Sequence, residues 1–386
     1  MKKAGLYIHI PFCHSKCPYC DFYSLPSLTL KEEFLAALKV EMELYRGIFP
    51  LFNTLYIGGG TPSVLPPAEI GEIVNTAMNL FSFSSRHEVT MEVNPADIDL
   101  NYLRELKAAG VNRISLGVQS FDDSVLRFLG RRHNSLQALK AVEVTRKAGF
   151  SNFGLDLIYG VPIQQFSSWE ESLSLAVHFQ VPHLSCYQLS LSRETPLGRS
   201  VARGEIILPG QEETAKLMAF TTAYLEAAGY ERYEVSNFAK GEAFRSRHNR
   251  KYWEDEPYLG LGPSAHSFDG SKKRWWNNDS VTLYIKSLRE KKLPLADEEI
   301  LNEKERMLEC LFLGLRTKRG VSLKKLGGIP PERRNEAVNY LTKEGLATIK
   351  KGRLRPTAKG LALADGLAVW ISTFAESPPS LGRLTP

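Results

Sequence analysis

Short apolar runs alternate with longer amphipathic ones over residues 1–230. AGLYIHI (4–10) reads as a buried strand, and residues 30–45 then place Phe34, Leu38, Met42 and Tyr45 at helical spacing. FNTLYI (52–57) is a second strand that runs into Gly58-Gly59-Gly60, and a helix over 67–81 opens after Pro66-Pro67. HEVTMEV, NRISLGV, NFGLDLIYG and HLSCYQL predict four more strands, with helical spacing near 99–109, 122–148, 168–180 and 211–228. Six strand–helix repeats predict a parallel α/β architecture. A doubly wound sheet satisfies the same pattern. The polar residues favour an open, partial (β/α)6 barrel. Cys13, Cys17, Cys20, Gly59, Gly60, Glu92, Gln119 and Asp156 all fall at or near the C-terminal ends of successive strands, the rim where barrels collect ligands.

Beyond residue 230 the pattern loosens. YERYEVSNF predicts a strand, RSRHNRKYWED a polar loop, and YLGLGPSAHSF follows. From residue 300 three helical stretches (ERMLECLFLGLRT, LKKLGG and ERRNEAVNYLTKEG) precede two short strands around Lys351-Gly352 and a closing helix. That is a winged-helix-like module. The expected division is a barrel over 1–230, an irregular extension over 231–299, the module over 300–372 and a loose tail over 373–386.

The 386 residues are 43% hydrophobic and 24% charged, an ordinary globular balance. No apolar run reaches the roughly 18 residues of a membrane span. His9 and Pro11 interrupt the apolar stretch after Lys2-Lys3, so the expected start is a mature cytoplasmic N-terminus rather than a signal peptide. The net charge of +6 suits an anionic ligand. Glu303, Glu305, Glu309, Glu332, Glu336 and Glu344 break up any phosphate-binding face in the last module, so no nucleic-acid partner is expected.

Three of the five cysteines, Cys13, Cys17 and Cys20, lie within eight residues directly after the first strand. Clustered thiols of this kind bind metal or do chemistry more often than they form disulfides. Thiolates hold iron–sulfur clusters, usually four to a cluster. Three would leave one iron open to a ligand. A zinc site completed by His9 or His14 is the alternative reading. Cys186, in a strand, and Cys310, on an apolar helical face, read as packing residues.

The triplet is the radical S-adenosylmethionine (SAM) signature, and YIHIPFCHSKCPYCDFYS resembles the family of oxygen-independent coproporphyrinogen III dehydrogenases and their relatives, the HemW-type heme chaperones. The resemblance runs from Tyr7 to about residue 372 and implies a TIM-like partial barrel. It implies that Cys13, Cys17 and Cys20 ligate a [4Fe-4S] cluster and that SAM takes the open iron. One electron from the cluster would then cleave SAM to methionine and a 5'-deoxyadenosyl radical, and a flavodoxin or ferredoxin would supply that electron.

Gly58-Gly59-Gly60-Thr61-Pro62 lets backbone approach a ligand closely and is no nucleotide P-loop, since no Gly-Lys-Ser/Thr follows. It is similar to the family's GGTP element, which implies Gly59, Gly60 and Thr61 against the methionyl part of SAM. Glu92 can accept from an ammonium or a ribose hydroxyl, Gln119 can donate and accept, and Arg131 can fork onto a carboxylate. Asp156 sits in an apolar run where an unpaired charge is costly. By resemblance these four contact SAM, with Tyr7 and Tyr19 beside them. One stretch departs from the pattern: where similar proteins often read LPGQT, this chain has Val161-Pro162-Ile163-Gln164-Gln165.

Two features separate the activities within the family. The dehydrogenases usually carry a further cysteine at the position of Phe22, and they have a longer segment before the first strand. The loop from Arg247 to Trp253 fits the HNxxYW pattern of the heme chaperones. Imidazole is an iron ligand, the aromatic rings offer flat apolar surface, and Arg245, Arg247, Arg250 and Lys251 can pair with propionates. The expectation is a protein that binds heme through His248 and passes it to an acceptor protein, a membrane-associated acceptor included. His266 is a second candidate. Radical oxidative decarboxylation of coproporphyrinogen and radical modification of RNA are the alternatives.

Overall fold

The structure, a computed structural model, describes residues 2–374. Six strands follow one another as a parallel run: β1 (Ala4–Ile10), β2 (Phe52–Gly59), β3 (Phe83–Val93), β4 (Arg113–Gln119), β5 (Phe153–Tyr159) and β6 (His183–Gln188). Helices Lys31–Leu44, Pro67–Leu80, Leu100–Ala108, Ser135–Lys147, Phe166–His178 and Gln211–Ala227 alternate with them. The sheet does not close. Antiparallel β7 (Glu231–Arg232) and β8 (Asn237–Ala239) extend it past β6. At the other edge β9 (Tyr258–Leu261) lies parallel to β1 and leads into antiparallel β10 (His266–Phe268), β11 (Lys273–Asn277) and β12 (Leu295–Ile300). This is the open partial barrel that the polar residues at the strand ends favour over a doubly wound sheet.

Strand parity explains why one face carries the core and the other the chemistry. Leu6, Ile8, Ile10, Leu55 and Ile57 are fully buried in one apolar cluster with Phe34, Leu38 and Ile70 of the helices. The alternate positions point the other way. Register aligns Tyr7 with Tyr56, Tyr56 with Thr90, Glu92 with Ser115, and Asp156 with Ser185. The barrel interior is therefore lined with hydroxyls and carboxyls.

Several elements differ from the sequence reading. The stretch 122–148 divides into helices Asp123–Phe128 and Ser135–Lys147, because Gly130 takes φ +65° between them and Asn134 caps the second with a capping box. YERYEVSNF forms two short strands rather than one. LKKLGG is a single 3-10 turn, Leu323–Leu326. The closing helix is interrupted at Leu363. RSRHNRKYWED is not a polar loop. It contains the helix Arg247–Trp253, capped by the Ser246 side chain on the Asn249 amide. The expected tail begins too early, since Thr373 ends a helix and Phe374 is buried; residues 375–386 of it lie outside the described residues.

A second apolar cluster joins helices Glu303–Leu315, Pro331–Lys343 and Ala364–Thr373 to the small sheet of β13 (Val321–Ser322), β14 (Ala347–Lys350) and β15 (Arg353–Pro356). Asp255 ties this module to the barrel. Its carboxylate takes Arg306 at 2.9 and 2.7 Å and Lys325 at 3.0 Å, with the Cys310 thiol at 3.5 Å.

Candidate functional site

The loop carrying the three thiols leaves β1 and is held from several sides. Backbone bonds link Cys13 N to Leu25 O at 3.0 Å and Leu25 N to Pro11 O at 2.7 Å. Cys13 Sγ lies 3.3 Å from Thr61 Oγ1. Cys17 Sγ lies 3.7 Å from Gly130 O and 3.6 Å from Arg131 Nη1. Burial pushes the Cys20 thiol up to about 11; the Phe22 amide opposes this, and Cys17 and Cys13 add to it. Cationic iron beside the thiols would reverse that balance. Glycines make the room. A Cβ on Gly60 would lie 2.6 Å from Phe12 O and 3.1 Å from Cys13 Sγ, and one on Gly130 would lie 2.5 Å from the Pro18 ring.

The zinc alternative loses one of its two histidines. His9 is buried, its Nε2 meets Tyr23 O at 2.8 Å and its Nδ1 meets the Tyr7 hydroxyl at 3.1 Å, so no ring nitrogen is left for a metal. Burial lowers its pKa to about 4.

Of the other expected residues, Thr61 and Arg131 lie against the thiols, and Glu92 is tied to the glycine run. Glu92 accepts from the Tyr56 hydroxyl at 2.7 Å and the Gly59 amide at 3.2 Å. Burial raises its carboxyl to about 7, Tyr56 holding it down and Asp156 pushing it up. Such a carboxyl ionises readily once a cation is set beside it. Gln119 takes φ +68° at the end of β4, where the register to β5 slips between Leu116 and Gln119. An irregular strand end that re-aims a side chain is a feature of ligand sites. Arg131 Nη2 donates to Gly117 O at 2.7 Å, and the missing side chain at Gly117 leaves the guanidinium space. Asp156 accepts from Ser115 at 3.1 Å, and burial raises its carboxyl. It sits in the middle of β5 rather than at the strand's end. Tyr19 packs against the cluster of Val125, Leu129 and Ile158.

His248 stands apart from the thiols, on the barrel floor, with both ring nitrogens engaged. Nδ1 lies 2.8 Å from Thr54 Oγ1 and Nε2 lies 2.9 Å from the Tyr252 hydroxyl. The ring has 0% exposure and packs 5.1 Å from the Tyr56 ring and 6.4 Å from Tyr7. Glu88 accepts from the backbone amides of Arg247 and His248 at 3.0 and 3.1 Å, so the helix Arg247–Trp253 plugs the end of the barrel opposite the cysteine loop. In this conformation the imidazole is a packing and hydrogen-bonding group and is not presented to a ligand. The basic side chains near it are also occupied: Arg245 with Glu231, Arg250 with Glu254, Lys251 with Glu256 and Lys3 O, and Arg247 with Arg86 O. His266 is exposed and stacks on Trp276 at 5.6 Å.

The sequence reading did not single out Tyr56, Thr54 and Glu88, although the alternation along β2 and β3 places all three on the interior face. It also missed Glu41. That carboxyl is fully buried and accepts from Tyr284, Asn277 and the Gly262 amide at 2.6, 2.6 and 2.8 Å.

The Radical SAM superfamily profile matches residues 7–176, and the HemN C-terminal domain profile matches 301–363. A cysteine loop and a glycine cradle at the mouth of an open barrel thus belong to a radical SAM protein. Heme chaperone HemW of Bacillus subtilis is 38% identical over 330 residues, 84% of this chain and 86% of the relative. Heme chaperone HemW of Mycobacterium tuberculosis is 35% identical over 371 residues, 94% of this chain and 93% of the relative. The chain belongs to the HemW family. The fold is also that of the coproporphyrinogen III oxidase HemN from Escherichia coli, with a TM-score of 0.81 at 24% identity over 97% of this chain and 91% of that one. A radical SAM domain implies a [4Fe-4S] cluster and SAM. The donor set fits them: three thiols share one loop, a guanidinium faces Cys17, and a glycine cradle would be filled by a single Cβ.

Proposed function

We propose that this protein is a cytoplasmic heme chaperone that binds heme and passes it to an acceptor protein. The observation that carries the reading is the similarity to proteins named heme chaperone HemW, which spans barrel and C-terminal module alike. Phe22 supports it: where the dehydrogenases usually carry a further cysteine, this chain has a phenylalanine that is 63% exposed beside the cysteine loop. Among the described residues no helix is long and apolar enough to cross a membrane.

In this reading Cys13, Cys17 and Cys20 hold the cluster. Gly59, Gly60 and Thr61 meet the methionyl group of SAM, and Glu92, Gln119, Arg131 and Asp156 orient the rest, with Tyr7 and Tyr19 at its edges. When bound, the cluster and SAM supply reductive cleavage of a carbon–sulfur bond. The chain's own part is to fix the thiols, to offer Glu92 as an acceptor, and to close the barrel from below with the helix Arg247–Trp253. His248 reaches a heme iron only if its bonds to Thr54 and Tyr252 break and the buried ring becomes exposed.

The test is anaerobic reconstitution followed by two parallel assays. Heme titration should give a saturable complex. Incubation with coproporphyrinogen, SAM and reductant should give no protoporphyrinogen. Formation of protoporphyrinogen without heme binding overturns the reading in favour of the decarboxylase.

A further inference from the structure

Strand β2 runs beside Glu92 and grips its carboxyl at both oxygens. The buried Tyr56 donates its hydroxyl to Oε1 at 2.7 Å, and the Gly59 amide donates to Oε2 at 3.2 Å. Between the two donors stands Gly58. A Cβ there would lie 3.0 Å from both the carboxyl carbon and Oε2 of Glu92, and 2.9 Å from Cε1 of Tyr56. The carboxyl thus lies across bare backbone, and even a methyl group at Gly58 would push it aside.

The Tyr56 ring is fixed in turn. It packs 5.1 Å from the His248 ring and 6.1 Å from the Tyr7 ring. Strand alternation puts Thr54, Tyr56 and Gly58 on one face, and Thr54 holds His248 Nδ1 at 2.8 Å. The hydroxyl of Tyr56 is therefore aimed by packing from below. A carboxylate accepts about four hydrogen bonds. Two come from β2, and Glu92 keeps part of its surface open to the barrel, which leaves acceptor positions for a ligand.

We infer that Tyr56 and Gly58 are positioning residues that hold the Glu92 carboxylate in place to accept from SAM. The inference rests on the reading that Glu92 meets SAM, and it adds the two residues that give the carboxylate its direction. A donor on a carboxylate also favours its ionised form. Tyr56 does this for Glu92 against burial and the charge of Asp156. The other groups facing Glu92 supply no cation. Tyr7 on β1 and Tyr252 on the helix Arg247–Trp253 are neutral phenols, and Ser115 is its neighbour on β4. Arg113 and Lys251 bear on His248 instead.

The experiment is equilibrium dialysis of radiolabelled SAM against the anaerobically reconstituted protein, from about pH 8 to about pH 5.5, where a carboxyl of raised pKa titrates. Tyr56→Phe keeps the ring and removes the donor. It should retain iron and sulfide and bind SAM about tenfold more weakly at neutral pH. On acidification it should release SAM about one pH unit earlier than wild type, because its Glu92 takes up a proton at higher pH. Lost packing alone would weaken binding equally at every pH. Gly58→Ala should also weaken SAM binding while the cluster stays. Glu92→Gln should bind weakly and show no fall on acidification. If Glu92→Gln binds weakly while Tyr56→Phe and Gly58→Ala match wild type in affinity and pH response, the positioning role is overturned and the SAM contact stands. Wild-type affinity in Glu92→Gln overturns the contact and the role together.

Discussion

Replacing His248 by alanine separates a structural imidazole from an exposed ligand. The side chain bridges Thr54 on β2 and Tyr252 on the plug helix, at 2.8 and 2.9 Å, and fills the space beneath Tyr56. Its removal leaves two hydroxyls without a partner, at about 1–3 kcal/mol for each buried one. It also opens a void of ring size, for which large-to-small core changes cost about 2–5 kcal/mol. These terms overlap, so the expected loss is about 3–5 kcal/mol, a large part of the roughly 5–15 kcal/mol that holds a protein folded. A histidine on a solvated loop would cost within about 0.5 kcal/mol. Urea denaturation of the anaerobic apo-protein reads the difference, and amide exchange in the helix Arg247–Trp253 localises it. The pH dependence adds a second check. Burial lowers the His248 pKa to about 3, with Lys251 and Arg113 adding to the effect. The native ring stays neutral while the unfolded one gains a proton below pH about 6.5. The wild type therefore loses this stability as pH falls from 6.5 toward 3, by about 1.4 kcal/mol per unit, and the variant does not. The gap between them should narrow between pH 6.5 and 5. A variant as stable as wild type at pH 7, with no change in the gap on acidification, refutes the plug.

Other parts of the molecule give shorter tests. Gly60→Ala should reduce iron and sulfide retention severalfold, because its Cβ meets Phe12 O and Cys13 Sγ at 2.6 and 3.1 Å; unchanged cluster content contradicts the cradle. Glu41→Ala should cost about 3–5 kcal/mol by stranding the Tyr284 hydroxyl and the Gly262 amide and by leaving Asn277 with the Gly262 carbonyl alone. Burial raises Glu41 to about 7, so the native carboxyl holds its proton above the unfolded pKa and contributes stability that is lost as pH rises from 4.5 to 7. Glu41→Gln should remove that slope in pH-dependent melting. Asp255→Ala removes the carboxylate that joins Arg306 and Lys325 at the junction of barrel and C-terminal module, leaving Arg306 to Glu309 and Lys325 to the Cys310 thiol, and faster proteolytic cleavage near residue 300 with the barrel intact is the expected outcome.

The strands and most helices of the barrel are legible because their period is enforced by burial. β1 to β6 bury one face against the helices, and a slip of one residue would place Leu6 and Ile8 among carboxyls. The thiol triplet, the glycine run and Glu92 are legible for a related reason: each is a local departure from that period at a strand end. What the sequence does not reveal is long-range. Nothing around His248 signals that Glu88, 160 residues earlier, caps its helix, so a run of basic residues reads as a solvated loop. The helix forms because Ser246 and Glu88 satisfy its first amides and because its polar groups find partners inside the barrel. Arg113, which opens β4 and is buried, is hidden for the same reason, since a charged residue at the start of a strand gives no sign of which layer it enters. The parallel docking of β9 on β1 joins residues about 250 positions apart, and no local pattern encodes it.

The central claim is that one loop seats an iron–sulfur cubane on three thiolates with the fourth iron open to SAM. Mössbauer spectroscopy of the anaerobically reconstituted protein, with and without SAM, tests it most directly. The account predicts about four irons and four sulfides per chain, a single iron site whose signal changes on adding SAM, and loss of the cluster in each of Cys13→Ala, Cys17→Ala and Cys20→Ala. Zinc in place of iron, no acid-labile sulfide, or a spectrum indifferent to SAM would contradict it.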